Sequence, residues 1–123
     1  MNQILVYAGA GLTMLWGIAH LFPTRSVVKG FGKISVDNER IITMEWIGEG
    51  VALILLGLIA AAVNAIDPVS AVSRAVTVLV ALGLLVLAVV SLFTGFRVKF
   101  LPFRLCPVIF ILSAMLVALG AWI

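Results

Sequence analysis

The chain has 123 residues, 64% of them apolar and 11% charged, and a net charge of +3. A soluble domain carries roughly 25% charged residues, so this composition excludes an ordinary water-soluble globule and points to one domain embedded in a membrane. The basic surplus does not imply nucleic acid, since no basic helix face or aromatic platform accompanies it.

A bilayer core about 30 Å thick takes about 20 apolar residues in a helix. The first such stretch runs from about Ile4 to Phe22 and is closed by Pro23. Met1-Asn2-Gln3 carries no positive charge, and the cations follow the stretch rather than precede it. It therefore reads as a retained span, not as a cleaved signal. Gly9, Thr13 and Gly17 form a small-residue ridge along it, at a spacing that lets a neighbouring backbone approach.

The loop 23–40 is longer than a helical hairpin needs. Arg25, Lys29, Lys33 and Asp37 recur every four residues, with Val27, Phe31 and Ile34 on another face, as in an interfacial amphipathic helix. Gly30 and Gly32 argue equally for an irregular segment. Asp37 and Asn38 are candidate caps for the second span.

That second span covers about Ile41 to Val63 and ends in Asn64 and the turn-forming Asp67-Pro68. Gly50, Gly57 and Ala61 give it a ridge of its own. The third span runs from about Ala75 to Phe96. The loop 97–104 holds Arg97, Lys99 and Arg104, with Phe96, Val98 and Phe100 alternating as in an extended interfacial stretch. The fourth span covers about Leu105 to Ile123, with Ala114, Ala118 and Ala121 on one side. These ridges serve helix packing within the chain, or a homodimer or larger membrane complex.

In lipid only helices and closed barrels satisfy the backbone, and four such stretches cannot close a barrel. The expected fold is an all-α, polytopic four-transmembrane-helix bundle spanning residues 1–123. Of the eight Lys and Arg, Arg25, Lys29, Lys33, Arg40, Arg97, Lys99 and Arg104 lie in the first and third loops, and only Arg74 lies in the second. This bias places loops 23–40 and 97–104 in the cytoplasm and both termini outside, in a cell (plasma or inner) membrane. Beside lipid, the same cations touch anionic head groups.

Three ionisable side chains fall inside apolar spans: His20, Glu45 and Glu49. A charge at mid-bilayer costs at least about 2.5–3.5 kcal/mol on insertion scales, so such groups face a cavity or a partner. With Pro23 and Arg40 taken as the boundary, His20 lies roughly 5 Å deep, Glu45 roughly 7 Å and Glu49 roughly 13 Å. Trp16 and His20 share a helix face, as do Glu45 and Glu49. With Trp46, these residues are expected to form a pocket of one imidazole, two carboxylates and two indoles. Arg97, on the same side of the membrane, is placed to offer charge to a ligand's head group.

His20, Glu45 and Glu49 are thus the candidate catalytic groups, and Trp16, Trp46 and Arg97 join them as candidate ligand contacts. One imidazole with two carboxylates suits several divalent ions, but a lone histidine is a weak signal and no metal is assigned. Cys106, the single cysteine, excludes an intrachain disulfide and a CxxC motif. No nucleophile elbow, phosphate loop or zinc motif is present.

The run from Glu45 to Gly57, Glu-Trp-Ile-Gly-Glu-Gly-Val-Ala-Leu-Ile-Leu-Leu-Gly, resembles the corresponding helix of DoxX-like membrane proteins, small four-helix bacterial proteins. The Gly17–Pro23 end of the first span fits the same layout. Met44-Glu45-Trp46 and the long first loop depart from that pattern. The resemblance implies a membrane-associated, quinone-related redox role, with Glu49 or Glu45 at the family's glutamate position. Fold analogy supplies no mechanism.

Four functions follow. The first is a protein that binds a lipophilic or quinone-like ligand, as a redox accessory. The second is a non-catalytic subunit of a membrane complex. The third is a lipid- or sterol-type isomerase using His/Glu acid–base chemistry. The fourth is a proton-coupled small exporter, against which stand the strong charge bias and a first helix without an acidic residue. The sequence leaves catalysis open and demands no cofactor.

Overall fold

The computed structural model describes residues 1–123 as five α-helices and one 3-10 turn. They are α1 (Gln3–Leu21), α2 (Thr24–Gly30), α3 (Val36–Ile66), α4 (Ala71–Phe93), the 3-10 turn Gly95–Arg97, and α5 (Leu101–Trp122). Four of them, α1, α3, α4 and α5, are long and apolar enough to cross a membrane, and there are no strands. The chain is a small, all-α, multi-pass membrane bundle.

Its helices form a ring in which α1 packs against both α3 and α5, α4 packs closely on α5, and α4 meets α3 over a smaller surface. The small-residue ridges of α1 and α3 are used inside this ring. A Cβ on Gly17 would fall 2.8 Å from the Gly50 carbonyl oxygen, and one on Gly9 would fall 2.7 Å from the Val117 side chain. Both are closer than a side chain tolerates, so the glycines set the distance between helices, as small residues do in membranes. Ala114 and Ala121 are buried in the same way.

Several boundaries differ from those expected. α4 runs from Ala71 rather than Ala75, capped by Ser70, and ends at Phe93, and α3 ends at Ile66. The starts of α3 and α5 bear on the site. α3 begins at Val36, five residues before the apolar run, because Ser35 caps it. The Ser35 hydroxyl oxygen accepts from the Asn38 amide at 3.1 Å. Asp37 and Asn38 are therefore not the cap; Asp37 lies with Glu39 in the first turn, where negative charge suits the helix dipole. At 1.5 Å per residue this 31-residue helix is about 46 Å long, so its first turns reach past an apolar layer of about 30 Å. Likewise α5 starts at Leu101 rather than Leu105. Pro102 sits in its first turn, where a missing N–H costs nothing, and the expected extended stretch shrinks to the 3-10 turn and its flanks. The first loop is part helix and part irregular: α2 stops at Gly30, and Gly32 takes φ +73°, a conformation that suits glycine.

At the end of the bundle away from the basic loops, polar side chains tie three helices together. Asn64 is fully buried and donates to the Thr77 hydroxyl at 2.8 Å and to the Ala60 carbonyl at 2.7 Å. Ser73 donates to the Val63 carbonyl at 2.8 Å, and Gln3 to the Asn64 carbonyl at 3.4 Å. α3 and α4 are therefore pinned at this end. At the other end a cavity lies between them.

Candidate functional site

His20 occupies the last turn of α1, where the backbone carbonyls have no helical partner. Its own carbonyl accepts the Trp46 indole N–H at 2.8 Å. The indole also stacks on the imidazole, with ring centroids 3.8 Å apart and planes inclined by 16°. One residue of α3 thus holds both the backbone and the ring of His20. One turn further along α3, a Glu49 carboxylate oxygen lies 3.6 Å from His20 Nε2. The imidazole is 6% exposed and Nε2 has no hydrogen-bond partner, whereas the Glu49 side chain is 42% exposed.

These two groups edge a half-open cavity of about 390 Å³ lined by α1, α3, α4, the 3-10 turn and α5. Leu87, Val90 and Phe110 supply apolar wall, while Ser91 and Thr94 supply hydroxyls. Each hydroxyl donates to a carbonyl of its own helix, Ser91 to Ala88 at 3.1 Å and Thr94 to Val90 at 2.7 Å. Their oxygens remain free to accept. Together these groups offer acceptors and one imidazole nitrogen to a molecule held against aromatic and aliphatic walls.

The sequence candidates divide in two. His20, Trp46 and Glu49 come together. Trp16 is close by, lining a second cavity of about 220 Å³ with His20, Trp46 and Cys106, and its indole nitrogen is buried without a partner. Glu45 is exposed and does not reach His20. It lies in a groove on the outer side of α3 with Val27 and Phe31 of the first loop. Arg97 is exposed, and its neighbours Gly95 and Val98 line the cavity in its place. The pairing expected from depth, His20 beside Glu45, is thus replaced by His20 beside Glu49. Because α3 overshoots the boundary, Arg40 is not level with Pro23, and the register between α1 and α3 is offset by about one turn.

Phe103 was not singled out by its sequence. It packs edge-on against Trp46 at 5.3 Å and lines both cavities and the outer groove. Its position between two prolines and two cations reads as loop, and only the early start of α5 turns it inward. Cys106 is buried, with its thiol 3.5 Å from the Pro102 carbonyl. No three His, Cys, Asp or Glu side chains converge on a site that could hold a metal ion. Comparison with protein families, curated proteins and solved structures finds no match to this chain.

Proposed function

We propose that this bundle binds a lipophilic, quinone-like molecule in the His20/Glu49 cavity and serves as a redox accessory, a role of DoxX-like type. The observation that carries this reading is the imidazole nitrogen of His20, buried without a hydrogen-bond partner and facing a carboxylate across the edge of a largely apolar cavity. A buried polar atom left unpaired costs about 1–3 kcal/mol, and a ligand carbonyl or hydroxyl at Nε2 removes that cost. Phe103 and Phe110 line the cavity and suit a flat ring, while Trp46 braces His20 from outside it. By the positive-inside rule the cavity opens on the cytoplasmic half of the bilayer.

An acid–base isomerase would use the same pair, Glu49 as acid and His20 as base, on an unsaturated lipid ring. The subunit reading loses its main support, because the ridge glycines Gly9, Gly17, Gly50 and Gly57 are already covered within the chain. The test is native mass spectrometry of the protein purified in mild detergent, comparing wild type with Glu49→Gln. The proposal expects a bound lipophile in the wild type that is depleted in the variant. An equally folded wild type carrying nothing above free lipid contradicts it.

A further inference from the structure

The cavity has a side opening. Glu49, Leu87 and Phe103 line both the half-open cavity and the groove of about 590 Å³ on the outer side of α3, so the two volumes adjoin across these side chains. The opening falls between α3 and α4, which share a smaller surface than the other neighbouring spans, at the end far from the Asn64–Thr77 tie. Inside, His20, Glu49, Ser91 and Thr94 stand among apolar walls; the groove adds Val27, Phe31, Ile42, Ala52 and Leu53. Glu45 is the other carboxylate on that groove, and it is exposed. A second cavity adjoins the first at His20, Phe103 and Cys106. It is smaller, and it lies beside α1 and α5, which pack closely.

We infer that the ligand is an amphiphile with one apolar chain, its flat polar head at His20 and Glu49 and its chain passing between α3 and α4 into the groove against α2. This rests on the proposed binding function and adds the ligand's shape and its route from the bilayer. A head without a chain fills only the cavity. The groove is continuous at Val27, Phe31 and Phe103 with a further cavity of about 550 Å³ lined by Ser26, Val98 and Phe100, so the room for a chain lies against α2. Lipid already solvates an apolar chain, so the groove contributes room and direction rather than hydrophobic driving force.

The experiment follows tryptophan quenching in detergent by two probes, a methylated benzoquinone without a chain and the same ring carrying a decyl chain. Two groove variants are used, Ala52→Phe and Gly48→Leu. Ala52 is exposed, and a Cβ on Gly48 meets no atom within 4 Å, so both tolerate added bulk; neither residue lines the cavity. The expected result is a decyl probe weakened about tenfold or more while the chainless probe changes by no more than about twofold. Equal effects on both probes, or none on the decyl probe, overturn the route between α3 and α4 and leave the cavity proposal standing. If neither probe quenches wild type in a manner sensitive to Glu49→Gln, the cavity proposal fails and this inference fails with it.

Discussion

Trp46 grips His20 twice, stacking on its ring at 3.8 Å and donating to its carbonyl at 2.8 Å. The two contacts are separable by mutation. Trp46→Phe keeps an aromatic face and loses the hydrogen bond, a loss of about 1 kcal/mol. Trp46→Ala loses both and truncates a half-buried side chain, at about 3 kcal/mol. Thermal unfolding in detergent should rank wild type above Trp46→Phe above Trp46→Ala, and only the alanine variant should free the imidazole to rotate. Equal melting of all three would mean that the stack does not brace α1 against α3.

Gly17 sets the approach of the same two helices, since a Cβ there falls 2.8 Å from a backbone oxygen that cannot yield. Gly17→Val should destabilise the bundle by about 1–3 kcal/mol and lower ligand affinity by moving His20 away from Glu49. Gly11, whose Cβ would meet nothing within 4 Å, is the control, and Gly11→Ala should leave melting unchanged or raised. The comparison is made by thermal melting of both variants side by side.

The spans were legible because hydropathy depends only on composition over some 20 residues. Helix starts were not, because they depend on single side chains: the Ser35 hydroxyl and the ring of Pro102 each lengthen a helix by about a turn. The same dependence shifts the site. His20 and the glutamates were recognisable as ionisable groups within apolar runs, but which glutamate meets His20 depends on where α3 crosses the boundary. Arg97 was assigned to the ligand from its side of the membrane alone, and side says nothing of direction. Phe103 carried no signal in a loop-like setting.

Asn64 and Thr77 form the interhelical tie of α3 and α4, far from the cavity. Interhelical hydrogen bonds in membranes are worth about 0.6 kcal/mol on average and up to about 1.7. Asn64→Ala should therefore cost about 1 kcal/mol of stability and leave benzoquinone quenching unchanged. Loss of quenching at equal stability would show that the tie and the cavity are coupled.

The charge pattern predicts topology. With Cys106→Ala as background, Lys33→Cys and Lys99→Cys should react with an impermeant maleimide from one side of the membrane, the cytoplasmic side, and Asp67→Cys from the other. Labelling of all three from one face would contradict four crossings.

The central claim is that His20 Nε2 is the atom a ligand meets. His20 is the single histidine, so 15N-histidine labelling yields one imidazole, read by NMR in lipid nanodiscs with and without the decyl benzoquinone. The account predicts that the probe shifts the Nε2 resonance more than the Nδ1 resonance and that Glu49→Gln reduces the shift. Unchanged imidazole resonances at a probe concentration that saturates tryptophan quenching would contradict it, placing the ligand away from His20.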